Sequence, residues 1–255
     1  MKKLLKKPFV AHEIVYQQMK KKGIRSWDLT DRKRRSEIDV NDRKFLLDIL
    51  RKPWSPKKGT ALEIGCGTGP ILRLVCKKGF SGIGIDVSRT AIAMAKEQSK
   101  GYKVQFKVAD ICGKLPAQPG TFDLVIDGHC LHCITDAKAR KSFLKNIFRL
   151  LKPGGLFIVM TMCAPIDPKA LSKMKFINGI IYHPWDKAVQ YAGARYFAGK
   201  SYIPTRYIGH WRKILTELRN AGFHLQLFQY IHPFKEKDIA SGLGVAALAP
   251  KRKNQ

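Results

Sequence analysis

Four carboxylates in this chain each sit at the end of a short apolar run. They are Glu63, Asp86, Asp110 and Asp127, and the last is followed, after Gly128, by His129-Cys130-Leu131-His132-Cys133. Carboxylates so placed can accept hydrogen bonds from hydroxyls or amines of a ligand lying across strand ends. Imidazoles titrate near neutrality and can take a proton from an amine or hydroxyl, which makes His129 and His132 the candidate bases. Between Glu63 and Asp86 runs Gly65-Cys66-Gly67-Thr68-Gly69-Pro70. Alternate glycines allow backbone torsions closed to other residues and let a ligand approach the main chain. The His/Cys cluster has a rival chemistry, because a Cys-x-x-Cys spacing can hold zinc. A structural zinc site needs four ligands, however, and no second pair follows, although Cys163 could approach from a neighbouring strand. The cysteines could equally be small apolar packers, and no metal is expected.

These groups need a framework that brings strand ends together. Residues 8–22 repeat apolar groups at helical spacing, Gly23 ends that helix, and a polar stretch carrying Trp27 leads to a second helix over 38–50. From Thr60 the chain alternates strands and helices, which predicts a parallel sheet with helices on both faces. Strand one ends at Ile64, and Pro70 suits the first turn of the helix after the glycines. Strand two ends at Asp86, 21 residues after Gly65, near the ~20-residue offset of a ribose-binding acid. Ser88 caps the next helix. Strand three (103–108) leads to Asp110-Ile111, and strand four (122–126) leads to Asp127-Gly128. A helix over 136–151, a turn at 151–155 and strand five (156–162) follow. The tail adds a helix over 210–220, a strand over 224–230 and an edge strand over 244–249. Between 163 and 208 lies an insertion rich in aromatics: Phe176, Tyr182, Trp185, Tyr191, Tyr196, Phe197, Tyr202 and Tyr207.

A dinucleotide-binding turn wants its third glycine where Pro70 stands. Here it comes one residue early, and Glu63 stands two before the first. The pattern resembles the Glu/Asp-x-Gly-x-Gly-x-Gly motif of class I S-adenosylmethionine-dependent methyltransferases. Phe122-Asp123-Leu124-Val125 with Leu131-His132-Cys133-Ile134, and Arg149-Leu150-Leu151-Lys152-Pro153-Gly154-Gly155 before a hydrophobic strand, are similar to further motifs of that family, and the resemblance covers most of 60–250. It implies a Rossmann-like, doubly wound α/β fold: a mostly parallel seven-stranded sheet with helices on both faces and the aromatic insertion between strands five and six. It implies S-adenosylmethionine as cofactor, bound by Glu63, Gly65, Cys66, Gly67, Gly69, Asp86, Val87, Asp110, Ile111, Asp127 and Gly128. Asp110 would then hydrogen-bond the adenine amine, with Ile111 packed on the ring. Trp27 joins the set, because an aromatic in an N-terminal arm resembles small-molecule methyltransferases of the thiopurine and tellurite-resistance type, in which the arm closes over the cofactor.

The implied activity is methyl transfer to nitrogen or oxygen of a small-molecule acceptor, anionic or aromatic, recognised by the insertion. Two alternatives stand beside it: methylation of RNA (tRNA or rRNA) or of a protein, and a non-catalytic nucleic-acid or membrane binding module on the same fold. No Asn/Asp-Pro-Pro-aromatic tetrad follows strand four, which weighs against the amino-methylating DNA and RNA enzymes that use one.

Composition bounds these readings. With 255 residues, 45% hydrophobic, the chain can bury one full core. The expected organisation is a basic helical arm over 1–58 packed on a domain over 59–255, in which 163–208 forms an acceptor-binding lid. No apolar run reaches membrane-spanning length. Six cysteines scattered through predicted core elements suit a reducing compartment, so a cytoplasmic location is expected. The formal charge of +29 favours anionic partners, by steering or by non-specific contact. Residues 1–58 hold 18 of the basic groups and seven of the acidic ones, so the excess is enriched at the front but spread throughout.

Overall fold

The computed structural model describes residues 10–30, 36–113, 117–166, 171, 174–185, 193–231 and 240–251. Tyr191 of the aromatic insertion lies outside them. The chain runs α1 (Val10–Lys21), α2 (Val40–Arg51), β1 (Gly59–Ile64), α3 (Pro70–Cys76), β2 (Phe80–Asp86), α4 (Arg89–Gln98), β3 (Val104–Val108), β4 (Phe122–Gly128), α5 (Ala137–Leu150) and β5 (Leu151–Ile166). The insertion supplies β6 (Lys175–Ile177), β7 (Ile180–Trp185), β8 (Arg195–Phe197) and β9 (Lys200–Tyr207), and the tail α6 (Trp211–Asn220), β10 (His224–Ile231) and β11 (Ala240–Leu248). Short 3-10 turns lie at Asp28–Thr30 and Leu131–Cys133.

Seven strands form one sheet in the order β10-β11-β5-β4-β1-β2-β3. β1 to β5 pair in parallel, and β11 is antiparallel to both β5 and β10. Strand alternation divides the core into two layers. Leu62, Ile64 and Val125 pack with Phe143 and Ile147 of α5 and Leu215 and Leu218 of α6. Ala61, Leu124 and Ile126 face Leu46 and Ile49 of α2, Leu72 and Val75 of α3 and Ile92 of α4. Buried on both faces over 61–64 and 124–127, β1 and β4 are mostly apolar there, with Glu63 and Asp127 the buried exceptions,.

Three details depart from the sequence reading. The strand expected at the edge, over 244–249, is interior: β11 is buried along most of its length, while β10, whose residues are half-buried or exposed, forms the edge. The turn expected at 151–155 is part of β5, where Leu151 pairs with Phe122 and Leu156 already pairs with Leu124. Five residues thus advance two on the partner, a large bulge that tolerates Pro153 without breaking the ladder. The insertion is a second sheet, in the order β6-β7-β9-β8. Its hairpins turn at Asn178-Gly179 (φ 51° and 79°) and Ala198-Gly199 (φ 45° and 72°), pairs of left-handed residues that match the twist of short hairpins. Tyr182 and Tyr202 are buried there, but Phe176 and Tyr196 are exposed, so the aromatics serve both a core and a surface.

Candidate active site

The glycine loop is shaped by its neighbours. Gly65, Gly67 and Gly69 have φ of 65°, 52° and 79°, in the left-handed region that a Cβ disfavours. A Cβ on Gly65 would stand 2.8 Å from Cβ of Cys130, one on Gly67 2.6 Å from the Tyr16 hydroxyl, and one on Gly69 2.6 Å from the Phe106 ring. Carboxylates fasten the loop from both sides. Asp86 accepts from the Gly67 N–H (2.9 Å) and the Ser88 N–H (2.8 Å), and Glu63 accepts from the Leu72 N–H (2.9 Å). Burial raises the pKa of Asp86 and pushes Glu63 up to about 8, the Leu72 N–H and Arg73 opposing it.

The arm closes over this loop. Glu13 of α1 accepts from the hydroxyls of Ser88 (2.6 Å) and Thr90 (2.5 Å) and from the Thr90 N–H (3.3 Å), clamping α1 to the start of α4. Three residues further along the helix, Tyr16 reaches the loop, and its ring packs edge-on against Trp27 at 5.5 Å.

The turn after β4 is built on Asp127. Its carboxylate is buried and accepts from the N–H groups of Cys130 (2.7 Å) and Leu131 (3.2 Å). Burial, its largest influence, raises its pKa to about 6. Arg140 of α5 adds a second hold, donating to the Leu131 carbonyl (2.7 Å) and pairing with Glu217 of α6. The turn is tight enough to force His129 to φ 67°, an uncommon conformation for a residue with a Cβ.

The two histidines differ in protonation. Burial in the cleft pulls the His129 pKa down, but the Asp42 carboxylate bonded to Nε2, with Asp127 and Asp28 beyond, outweighs it and carries the pKa up to about 9. His129 therefore bears its proton at neutral pH, contrary to what an ordinary imidazole at this position would do. His132 is buried, and burial first, then the positive charge of His129 and Arg206, hold its pKa well below the usual value. Its Nδ1 lies 3.4 Å from the Met162 N and 3.3 Å from the Thr161 hydroxyl. Because the Met162 N–H can only donate, Nδ1 is the accepting nitrogen and the ring proton sits on Nε2. Neither ring stands ready at neutral pH as the free base that the sequence suggested.

Among the described residues, no group of three or more His, Cys, Asp or Glu side chains is arranged to hold a metal. None of the six cysteines is in a disulfide. Burial raises the thiols of Cys66 and Cys130 well above the ordinary value and that of Cys133 to about 11. Such thiols are poor nucleophiles.

A cavity of about 840 Å³ joins these parts. Trp27, Glu63, Gly65, Cys66, Gly67, Asp86, Val87, Asp110, Ile111, Gly128, His129 and His132 all line it, whereas Gly69 and Asp127 do not. Gly69 is spent on packing against Phe106, and Asp127 on fastening the turn beneath the cavity floor. Among the lining residues not singled out from the sequence are His12, Tyr16, Asp42 and Arg206. Helical spacing within α1 could have joined His12 and Tyr16 to Trp27. Nothing local marks Asp42 or Arg206, which arrive from α2 and from the second sheet. No described helix is long and apolar enough to cross a membrane.

The strand order, the glycine loop after β1 and the acids ending β2 and flanking β3 are those of the class I S-adenosylmethionine-dependent methyltransferase fold. Residues 62–159 match the family described as "Methyltransferase domain". The ubiquinone/menaquinone biosynthesis C-methyltransferase UbiE of Desulfotalea psychrophila is 30% identical over 126 residues, 49% of this chain and 50% of that one. Norajmaline N-methyltransferase of Rauvolfia serpentina is 33% identical over 112 residues, 42% of this chain and 37% of the other. The chain thus spans half or less of the length of these curated relatives. Among solved structures, a SAM-dependent methyltransferase from Methanosarcina mazei superposes with a TM-score of 0.64 at 20% identity, covering 78% of this chain and 96% of that one. A TehB-like SAM-dependent methyltransferase from Corynebacterium glutamicum gives 0.56 at 16% identity, over 95% and 99%.

The residues present fit the cofactor of this class. The positive-φ glycines leave bare backbone along the cavity, and Asp86 and Asp110 offer carboxylates at its β2 and β3 ends. S-adenosylmethionine supplies a methyl group already activated by its sulfonium.

Proposed function

We propose that the protein transfers the methyl group of S-adenosylmethionine to nitrogen or oxygen of a small-molecule acceptor. The observation that carries this reading is the continuity of one cavity from the glycine loop and Asp86 to Thr161, Met162 and the second sheet. A donor at one end and a small acceptor at the other would share one desolvated space, the condition that direct displacement at a methyl group requires. Asp86 would take the ribose hydroxyls, Asp110 with Ile111 the adenine, and Trp27 with Tyr16 would cover the bound donor. The names of the relatives include C-, O- and N-methyltransferases, so the choice of atom rests on the site. With His129 protonated and His132 locked as a donor, the acceptor must bring its own lone pair. An uncharged amine or an ionised oxygen does so without a resident base. Six cysteines outside any disulfide support a reducing, cytoplasmic setting.

Thermal unfolding with S-adenosylmethionine, S-adenosylhomocysteine or NADH tests the donor half. At a hundredfold excess over the dissociation constant, linkage gives about 2.7 kcal/mol, and Asp86→Ala should abolish most of it. Labelled-methyl transfer into metabolite and RNA pools tests the acceptor half. Stabilisation by NADH alone would refute the donor assignment, and transfer into RNA without transfer into metabolites would refute the acceptor class.

A further inference from the structure

The cavity wall and the whole chain have opposite charge. Eight of the lining residues are Asp or Glu, and of the 48 lysines and arginines only Arg206 lines the cavity among the described residues. The lining acids are largely engaged. Glu37 pairs with Arg73 and Arg25, Asp42 with His129, Asp39 caps α2, Asp136 caps α5, and Glu63, Asp86 and Asp110 accept backbone N–H groups. Arg206 is different. Its Nε is fully buried with no hydrogen-bond partner, and no described carboxylate pairs with it. A buried guanidinium N–H without a partner loses its hydration and gains nothing in return, so the position is unfavourable to the empty protein.

Its place in the fold shows which end of the cavity it serves. Arg206 pairs in register with Ile181 near the end of β9, and β9 packs on the Leu131–Cys133 turn. The second sheet and β5 line this cavity with Tyr182, Pro204 and Met162; Pro204, two residues before Arg206 on β9, pairs in register with Tyr182. The glycine loop, Asp86 and Asp110 stand at the ends of β1, β2 and β3, on the other side of β4. Three histidines face the same charge. His12, His132 and His183 all have pKa values lowered by burial and by Arg206, so they remain neutral around it and do not compete for an anion.

We infer that Arg206 is the recognition residue for an oxyanion, carboxylate or phosphate, on the methyl acceptor, which lies with its apolar body against Tyr182, Pro204 and Met162. The inference rests on the proposed function above and narrows its acceptor to an anionic small molecule. A guanidinium presents a planar fork that bonds two oxygens at once. Its partner here would also satisfy the orphaned Nε–H.

The test uses the full chain saturated with S-adenosylhomocysteine and three probes of one shape: benzoate, phenyl phosphate and neutral benzamide, titrated by calorimetry. The expected result is that at least one anionic probe binds about tenfold or more tighter than benzamide, that Arg206→Gln erases the preference, and that Arg206→Lys keeps part of it. Benzoate against phenyl phosphate tells carboxylate from phosphate. S-adenosylhomocysteine affinity should stay within about threefold in Arg206→Gln, since its removal there would assign the arginine to the donor's own carboxylate. Benzamide binding as well as both anions, or no anionic probe binding, overturns the inference on the wild-type protein alone, even if the variants do not fold. Loss of S-adenosylhomocysteine affinity in Arg206→Gln overturns it as well. Failure of the wild type to bind S-adenosylhomocysteine at all is a separate outcome that overturns the proposed function, and the inference with it.

Discussion

Replacing Asp42 with Asn should uncouple the arm side of the cavity from the β4 turn in a pH-dependent way. The Asp42 carboxylate bonds His129 Nε2 and is the main reason that ring titrates near 9 instead of 6.5. In a fully buried pair that difference would be worth ~3 kcal/mol. The His129 side chain is 43% exposed, and solvent screening reduces the expected contribution to about 1 kcal/mol. The sign follows from the raised folded-state value: the stabilisation is complete below pH 6.5 and is lost as pH rises through about 9,. Asp42→Asn should therefore melt about 2–4 °C below wild type at pH 6–7, and the two curves should converge by the alkaline end. Proton NMR supplies an independent reading. The His129 ring resonance, identified by its absence in His129→Gln, should titrate near 9 in wild type and far lower in Asp42→Asn. A wild-type His129 that titrates at its ordinary value, or a stability gap that widens with pH, would refute the reasoning.

Gly67→Ala meets both a φ of 52° and the Tyr16 hydroxyl at 2.6 Å, so it should cost more than ~1–2 kcal/mol. Adding Tyr16→Phe should recover only the steric share, and full recovery in urea melts would show that the backbone torsion is not limiting. Glu13→Ala removes three acceptor contacts to Ser88 and Thr90, and hydrogen exchange over residues 10–21 should quicken with a loss of about 1 kcal/mol. Protection unchanged in α1 would mean that the clamp is not what holds the arm. Because burial raises Glu63 to about 8, its ionisation drains stability between pH 4.5 and 8; Glu63→Gln should gain on wild type across that range, and losing ground there would reverse the sign. Binding to unstructured RNA, driven by the +29 charge, should be weak and fall steeply with salt. A tight, salt-resistant complex with one structured RNA would instead favour an RNA acceptor.

What was legible in the sequence is what local patterning controls. The mostly apolar runs of β1 and β4, the glycines between β1 and α3, and the cap Ser88 are fixed by residues within a few positions of one another. The acids at strand ends follow from the same pattern, since alternation places strand ends at one rim of a parallel sheet. Other features are set by distant partners. Asp42 meets His129 across 87 positions, and that contact, invisible in either local sequence, moves the imidazole out of the range in which it could serve as a base. The second sheet was readable in part: Asn178-Gly179 is a strong hairpin signal, but the aromatics around it also suit an irregular lid. Ala198 at φ 45° gives no such signal. The edge position of β10, and the interior position of β11, depend on strand order, which periodicity does not encode.

The contrast between exterior and cavity bears on how a cationic cofactor is held by a strongly basic chain. S-adenosylmethionine carries an ammonium, a sulfonium and one carboxylate, so a +29 protein opposes its approach at long range. Salt weakens that opposition beyond about 8–10 Å, whereas charges lining the cavity act at contact distances and are screened far less. With Glu63 protonated and His129 carrying its proton, seven acids against two cations still reverse the sign of the field where it matters for binding. Those acids remain tolerable because backbone amides, His129 and the Arg25–Glu37–Arg73 chain share their charge. Methyl transfer removes the sulfonium charge and with it part of the attraction, which favours release of the product. An anionic acceptor is drawn in by the exterior that repels the donor, and Arg206 is the point inside the acidic cavity where it can be kept.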